Sequence, residues 1–172
     1  MAVRIESAQF PADTKAIHSL FSGYAASLGI DLTFQSFQEE LDSLPGKYSE
    51  AQGGALLIAR ASARSGEKPD LPPAAQVAPG CVALRRSSDD WCEMKRLYVL
   101  PEARGLHLGD QLVAAVLEKA KSLGYRGIRL DTLSTMTTAR RLYARHGFSE
   151  IEPYYETPLE NTIFLGCEFG QP

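Results

Sequence analysis

Between Trp91 and Leu133 the chain reads as a strand, a proline-stopped loop, a helix and a second strand, and this stretch most narrows the fold. Trp91 to Val99 alternates, placing Glu93, Lys95, Leu97 and Val99 on one face and Met94, Arg96 and Tyr98 on the other. Pro101 stops its pairing. Leu112, Val113, Val116, Leu117, Ala120 and Leu123 then repeat as an apolar helical stripe that ends at Gly124, and Gly127 to Leu133 forms the next strand. A helical crossover of this length usually joins parallel neighbours, so a parallel pair is expected at the centre of the sheet.

The flanking sequence supplies the remaining layers. Val3 to Ser7 suits a short first strand, and Ile17, Leu20, Phe21, Tyr24, Ala25 and Leu28 recur at helical spacing up to Gly29. The spacing predicts a second, less regular helix over about 34–44, stopped by Pro45-Gly46. Ala55 to Ala61 is a buried-strand run that pairs with Gly80 to Arg85 as a hairpin. The connection 62–79 holds four prolines among small and charged residues and reads as a long, mobile surface loop. A helix is expected from Thr137 to His146, followed by strands at Phe148–Pro153 and Thr162–Phe169. The expected class is one mixed α/β or α+β domain over 1–172.

At 172 residues the chain is long enough for a hydrophobic core without disulfides, and 44% apolar with 23% charged residues is ordinary for a soluble domain. A net charge of -3 predicts no general attraction for nucleic acid. Three scattered cysteines, Cys81, Cys92 and Cys167, fit neither a disulfide framework nor a metal site. With no apolar run of membrane-spanning length and no leader pattern, the expected location is the cytoplasm, with no membrane partner.

The loop RGLHLG, Arg104 to Gly109, opens the central helix, where unpaired N–H groups and the helix dipole favour phosphate. A Walker loop needs Gly-Lys-Ser/Thr, but Gly109 is followed by Asp110 and Gln111. A dinucleotide fingerprint would use Asp131 as its ribose-binding acid, yet His107 and Asp110 stand where its second and third glycines belong. The third reading is an Arg/Gln-x-x-Gly-x-Gly/Ala loop, whose ends match Arg104 and Gly109.

From about Cys92 to Phe169 the chain resembles the GNAT superfamily of N-acetyltransferases, in its small-molecule-type branch. EMKRLYVLPEARGLHLG resembles the family's fourth strand and acyl-CoA loop, RLDTLSTMTTARRLYARHGF its fifth strand and following helix, and PYYETPLENTIFL its closing strands. The resemblance implies a mostly antiparallel sheet, splayed at its parallel pair and flanked by helices on both faces. It also implies acetyl-CoA as donor, without a metal, and allows a homodimer. His107 departs from the family's usual internal glycine, and Met136 from its frequent asparagine.

The implied donor site comprises the backbone near Leu97, Tyr98 and Val99, the loop residues Arg104, Gly105, Leu106, His107, Leu108, Gly109 and Asp110, and Met136. Glu93 resembles the family's general base, the alternative being an ion pair with Lys95 or Arg96. Tyr143 resembles its general acid, the alternative being a packing residue in the stripe Met136, Ala139, Leu142 and Tyr143. Tyr24, Phe34, Tyr154 and Tyr155 are candidate walls of an acceptor pocket for a small-molecule amine. A peptide amine, or a non-catalytic acyl-CoA-binding module, are the alternatives.

Overall fold

The computed structural model describes residues 2–62 and 78–170. Seven strands form one sheet in the order β1-β2-β3-β4-β5-β7-β6. They are β1 (Ala2–Ser7), β2 (Ala55–Ser62), β3 (Gly80–Arg86), β4 (Trp91–Val99), β5 (Gly127–Leu133), β6 (Ser149–Glu150) and β7 (Thr162–Glu168). Every neighbouring pair is antiparallel except β4 with β5, as the helical crossover requires. The loop expected at 62–79 lies, apart from its ends, outside the described residues.

Among the described residues, four α-helices cover the sheet: α1 (Thr14–Leu28), α2 (Phe37–Asp42), α3 (Leu108–Ser122) and α4 (Thr137–Arg145). On one face Ile17, Leu20 and Phe21 of α1 and Leu41 of α2 pack with Leu56, Ile58, Cys81 and Ala83. On the other, Leu112, Val113 and Val116 of α3 and Tyr143 of α4 pack with Leu57, Val82, Leu84 and Ile128. With both faces covered, β2 and β3 carry continuous apolar runs instead of a clean alternation. Each fully buried aliphatic side chain contributes ~1.5–3 kcal/mol, so the α3 stripe is a principal clamp on the parallel pair. No helix among the described residues is long and apolar enough to cross a membrane.

Two expected elements are shorter than their patterns. The helix expected over about 34–44 is a one-turn 3-10 helix at Thr33–Gln35 and then α2, because Ser36 adopts φ 55°, which interrupts the helical ladder between them. The strand expected at Phe148–Pro153 pairs only at Ser149 and Glu150, and Phe148 is buried as core.

The alternation expected along β4 does not hold. Cys81 faces Tyr98 across the ladder but Ala83 faces Lys95, so β4 carries one extra residue. Arg96, at φ 59°, is the residue within this span that adopts a left-handed conformation. Such a bulge re-aims every side chain beyond it. Glu93 and Lys95 face the α1–α2 side, whereas Leu97 and Val99 pack with the α3 core and Tyr98 turns to the α1 side. Glu93 therefore does not share a face with Leu97 and Val99.

Candidate active site

The bulge sits where β4 and β5 part. Their ladder is confined to Trp91–Glu93 against Gly127–Arg129, so β4 from Met94 onward and β5 from Leu130 onward have no strand partner across the gap. A cavity of about 110 Å³ occupies the wedge, bordered by Lys95, Leu97, Asp131, Thr132, Met136 and Tyr143. Half the backbone groups along such an edge lack a ladder partner, so they are available to an amide-bearing ligand.

A groove of about 700 Å³ leads into this wedge along Leu97, Tyr98 and Val99, past Arg104, Gly105, His107 and Gly109, with Met136 on the opposite wall. The N–H groups of residues 105–110 have no hydrogen-bond partner among the described residues. They open α3, whose dipole adds positive potential. Gly105 at φ 86° and His107 at φ 56° turn the chain so that this run stays exposed. His107 holds a left-handed conformation that costs a non-glycine residue ~1–2 kcal/mol. Its side chain is exposed along the groove. These features fit a pyrophosphate with an extended arm.

The loop residues divide by what each can present. Leu108 is buried in the core, which leaves its backbone N–H as its contribution, and Leu106 exposes 41% of its surface. The Asp110 carboxylate, which would repel phosphate, is drawn to α4 and its end by Arg145 Nη2 at 3.1 Å and His146 Nε2 at 3.0 Å. The Arg145 contact chiefly holds this carboxyl below the usual range, with His146 adding to it against the opposing effect of burial.

Glu93 is buried and fully engaged. Its Oε1 accepts from Arg85 Nε at 2.9 Å and Nη2 at 2.8 Å, and its Oε2 accepts from the Tyr154 hydroxyl at 2.6 Å. Burial raises its pKa, but Lys95 and Arg85 outweigh it, and the carboxyl lies below its usual range. Unlike Asp131, Glu93 is not among the residues bordering the splay cavity. Asp131 accepts from the Tyr155 hydroxyl at 3.0 Å through Oδ2, and its Oδ1 stands 3.8 Å from Lys95 Nζ.

The sign for Glu93 is that of a depressed carboxyl. Its contribution to stability is present above the unfolded value, ~4.3, and is lost as pH falls through the lower folded value. The thermal midpoint is expected to fall as pH drops from about 5 to about 3, more shallowly in Glu93→Gln than in the parent. Calorimetry across that range checks this; parallel curves would contradict it.

Tyr143 lies at the inner end of the wedge, and its hydroxyl has no hydrogen-bond partner among the described residues. Burial, followed by Tyr24 and Asp131, raises its pKa, so it stays protonated at neutral pH. Tyr24 borders both groove and wedge. Tyr154 and Tyr155 pack edge-on with Phe164 and each other on the acceptor side, without entering the wedge itself. The side chain of Phe34 lies outside the described residues.

Sequence reasoning missed Lys95 and Asp131 as a pair. The signal for Asp131, an acid ending a strand beside the loop, was present but belonged to the rejected dinucleotide reading.

Residues 72–150 match the acetyltransferase (GNAT) domain family. The chain is 36% identical over 170 residues to an uncharacterized N-acetyltransferase of Schizosaccharomyces pombe, covering 98% of this chain and 96% of that one. Among solved structures, a GNAT-family acetyltransferase from Staphylococcus aureus superposes with a TM-score of 0.73 at 20% identity, covering 97% and 99% of the two chains. The PaiA N-acetyltransferase of Thermoplasma acidophilum, solved in complex with coenzyme A, gives 0.71 at 16% identity, covering 98% and 100%.

Proposed function

Since the chain belongs to the GNAT family of acetyl-CoA-dependent N-acetyltransferases, we propose that it transfers an acetyl group to the primary amine of a small molecule by direct reaction in a ternary complex. The carrying observation is continuity: the donor groove and the wedge share Tyr24, Leu97, Met136 and Ala139, and the wedge opens through Lys95 and Arg96 into a pocket on the acceptor side. Donor and acceptor therefore meet beside Asp131 and Tyr143.

Acetyl-CoA, when bound, supplies a thioester carbonyl and a thiolate leaving group. The free N–H groups of residues 105–110 and Arg104 hold its pyrophosphate, and the unpaired edge of β4 holds its arm as a strand would. Asp131 takes a proton from the acceptor amine, and Tyr143 gives one to the departing sulfur. Unpaired β4 N–H groups face the carbonyl oxygen as it gains charge. Overall, an ammonium and a thioester give an amide, a thiol and one released proton.

Glu93, expected as base, enters this scheme as the residue that positions Arg85 and Tyr154. Direct transfer is favoured over a cysteine intermediate because burial drives the Cys81 thiol pKa up and pushes that of Cys92 up to about 12. Neither cysteine borders the wedge.

A panel of small primary amines incubated with acetyl-CoA is expected to release free CoA thiol with at least one member. Acetyl-CoA binding without release from any amine would replace catalysis by a binding-module role. Release confined to peptide amines would move the acceptor class.

A further inference from the structure

Lys95 is a buried cation that has Asp131 at the outer limit of ion pairing and, among the described residues, no carboxylate within hydrogen-bond range. Its side chain is 7% exposed, yet among the described residues its Nζ reaches only Gln35 Oε1 at 3.4 Å and Asp131 Oδ1 at 3.8 Å, the latter beyond hydrogen-bond range. An ammonium has three donors to satisfy, and a buried one left short is costly. The neighbouring cations are closed off: Arg85 by Glu93 at 2.8 Å and Arg96 by Glu40 at 2.8 Å. Lys95 therefore presents unused donor capacity at the junction of the wedge and a pocket of about 180 Å³ on the acceptor side.

Beside it, Asp131 engages Tyr155 through one oxygen and leaves the other facing Lys95 across the 3.8 Å gap. The two opposite charges face each other without closing. An ammonium and a carboxylate joined through one carbon match such a pair in reversed order. Resting on the acetyltransferase reading above, we propose that the acceptor is an α-amino acid, its carboxylate held by Lys95 and its amine by Asp131.

Burial lowers the Lys95 pKa, Glu93 and Asp131 act to raise it, and Arg96 and Arg85 add to the lowering; the net effect is downward. A bound carboxylate opposes that shift by supplying the missing anion. Farther out, the pocket continues through Arg85 and Tyr155 into a surface basin of about 570 Å³. Lys47, Arg86 and Arg129 border it with Asp89, an excess of positive charge at the mouth that favours entry of an acceptor bearing a carboxylate. A simple amine brings only a second cation next to Lys95 and leaves it unpaired, which discriminates against it.

The step balances as for any amine acceptor. The nitrogen bonds to the acetyl carbon as the carbon–sulfur bond breaks, giving an N-acetylamino acid, CoA thiol and one proton.

The test compares matched acceptors: a set of α-amino acids, their carboxamides and the corresponding decarboxylated amines, each with acetyl-CoA. CoA thiol release and the mass of the product are the readouts. The amino acids are expected to exceed their decarboxylated partners in kcat/KM by on the order of 100-fold or more, since a site built for a polar group rejects its absence strongly. In Lys95→Met that ratio is expected to fall toward one through the KM of the amino acids, and Lys95→Arg restores part of it.

Decarboxylated amines or carboxamides acetylated as well as the amino acids would overturn the acceptor assignment and leave the acetyltransferase reading intact. An unchanged ratio in Lys95→Met would overturn it too. If no acceptor releases CoA although acetyl-CoA binds, the transferase reading itself fails and takes this proposal with it. Should Lys95→Met fail to fold, the ratio in the parent protein still decides.

Discussion

Asp131→Asn is expected to lower kcat/KM for the amine about 100- to 10,000-fold, the range of a positioned general base, with acetyl-CoA affinity unchanged. Asparagine keeps the shape and still accepts from Tyr155, so the pocket wall is preserved while the proton acceptor is lost. The proposed donor groove runs from Leu97 to Gly109, and Asp131 does not border it. Steady-state kinetics beside a direct measurement of acetyl-CoA binding checks this. A loss below about threefold, with Glu93→Gln showing the large one, would return the base to Glu93.

Arg96→Ala is expected to destabilise the fold by ~3–5 kcal/mol, the usual consequence of removing one partner of a buried pair. Arg96 is 2% exposed. Its Nε and Nη2 donate to the two oxygens of Glu40 at 2.8 and 3.3 Å, and its Nη1 donates to Gln35 at 3.0 Å. The guanidinium also lies between the rings of Tyr24 and Phe37, at 5.4 and 5.3 Å. Removing it leaves Glu40 with the Tyr48 hydroxyl as its remaining polar partner.

Because Arg96 sits at φ 59°, Arg96→Gly is expected to be ~1 kcal/mol less destabilising than Arg96→Ala, despite losing the same contacts. Denaturant unfolding of the two variants reads this directly. Equal losses would show that the left-handed conformation does not survive without the guanidinium.

This residue also explains why the site forms where it does. The strain of a non-glycine bulge persists only where the surroundings over-determine it, and here Glu40 and Gln35, from the helical segment between β1 and β2, hold Arg96 in place. The bulge lies just beyond the last β4–β5 ladder pair, where the wedge opens. One side chain thus ties the acceptor-side helices to the splay, so Arg96 variants that fold are also expected to distort the acceptor pocket.

The parallel pair, the α3 stripe and the anion-favouring loop were legible in the residues because each rests on local periodicity or on a helix terminus. Val113 and Val116 repeat at helical spacing wherever they are read, and Gly105 lies in a loop between a proline and a helix start. The groove along the loop followed from these. The polar cluster beside the wedge did not, because it joins Lys95 of β4, Asp131 of β5, Gln35 before α2 and Tyr155 after α4.

The strand–helix–strand crossover, its apolar faces and the exposed N–H run from Gly105 to Asp110 follow from the residues alone, since short-range sterics and burial decide them. That Asp131 and not Glu93 borders the wedge depends on long-range contacts. Side chains alternate with a period of two, so a single extra residue inverts every face beyond it. That residue is an arginine in a glycine-like conformation, held by Glu40 more than fifty positions away in the chain. No local pattern announces a contact of that range.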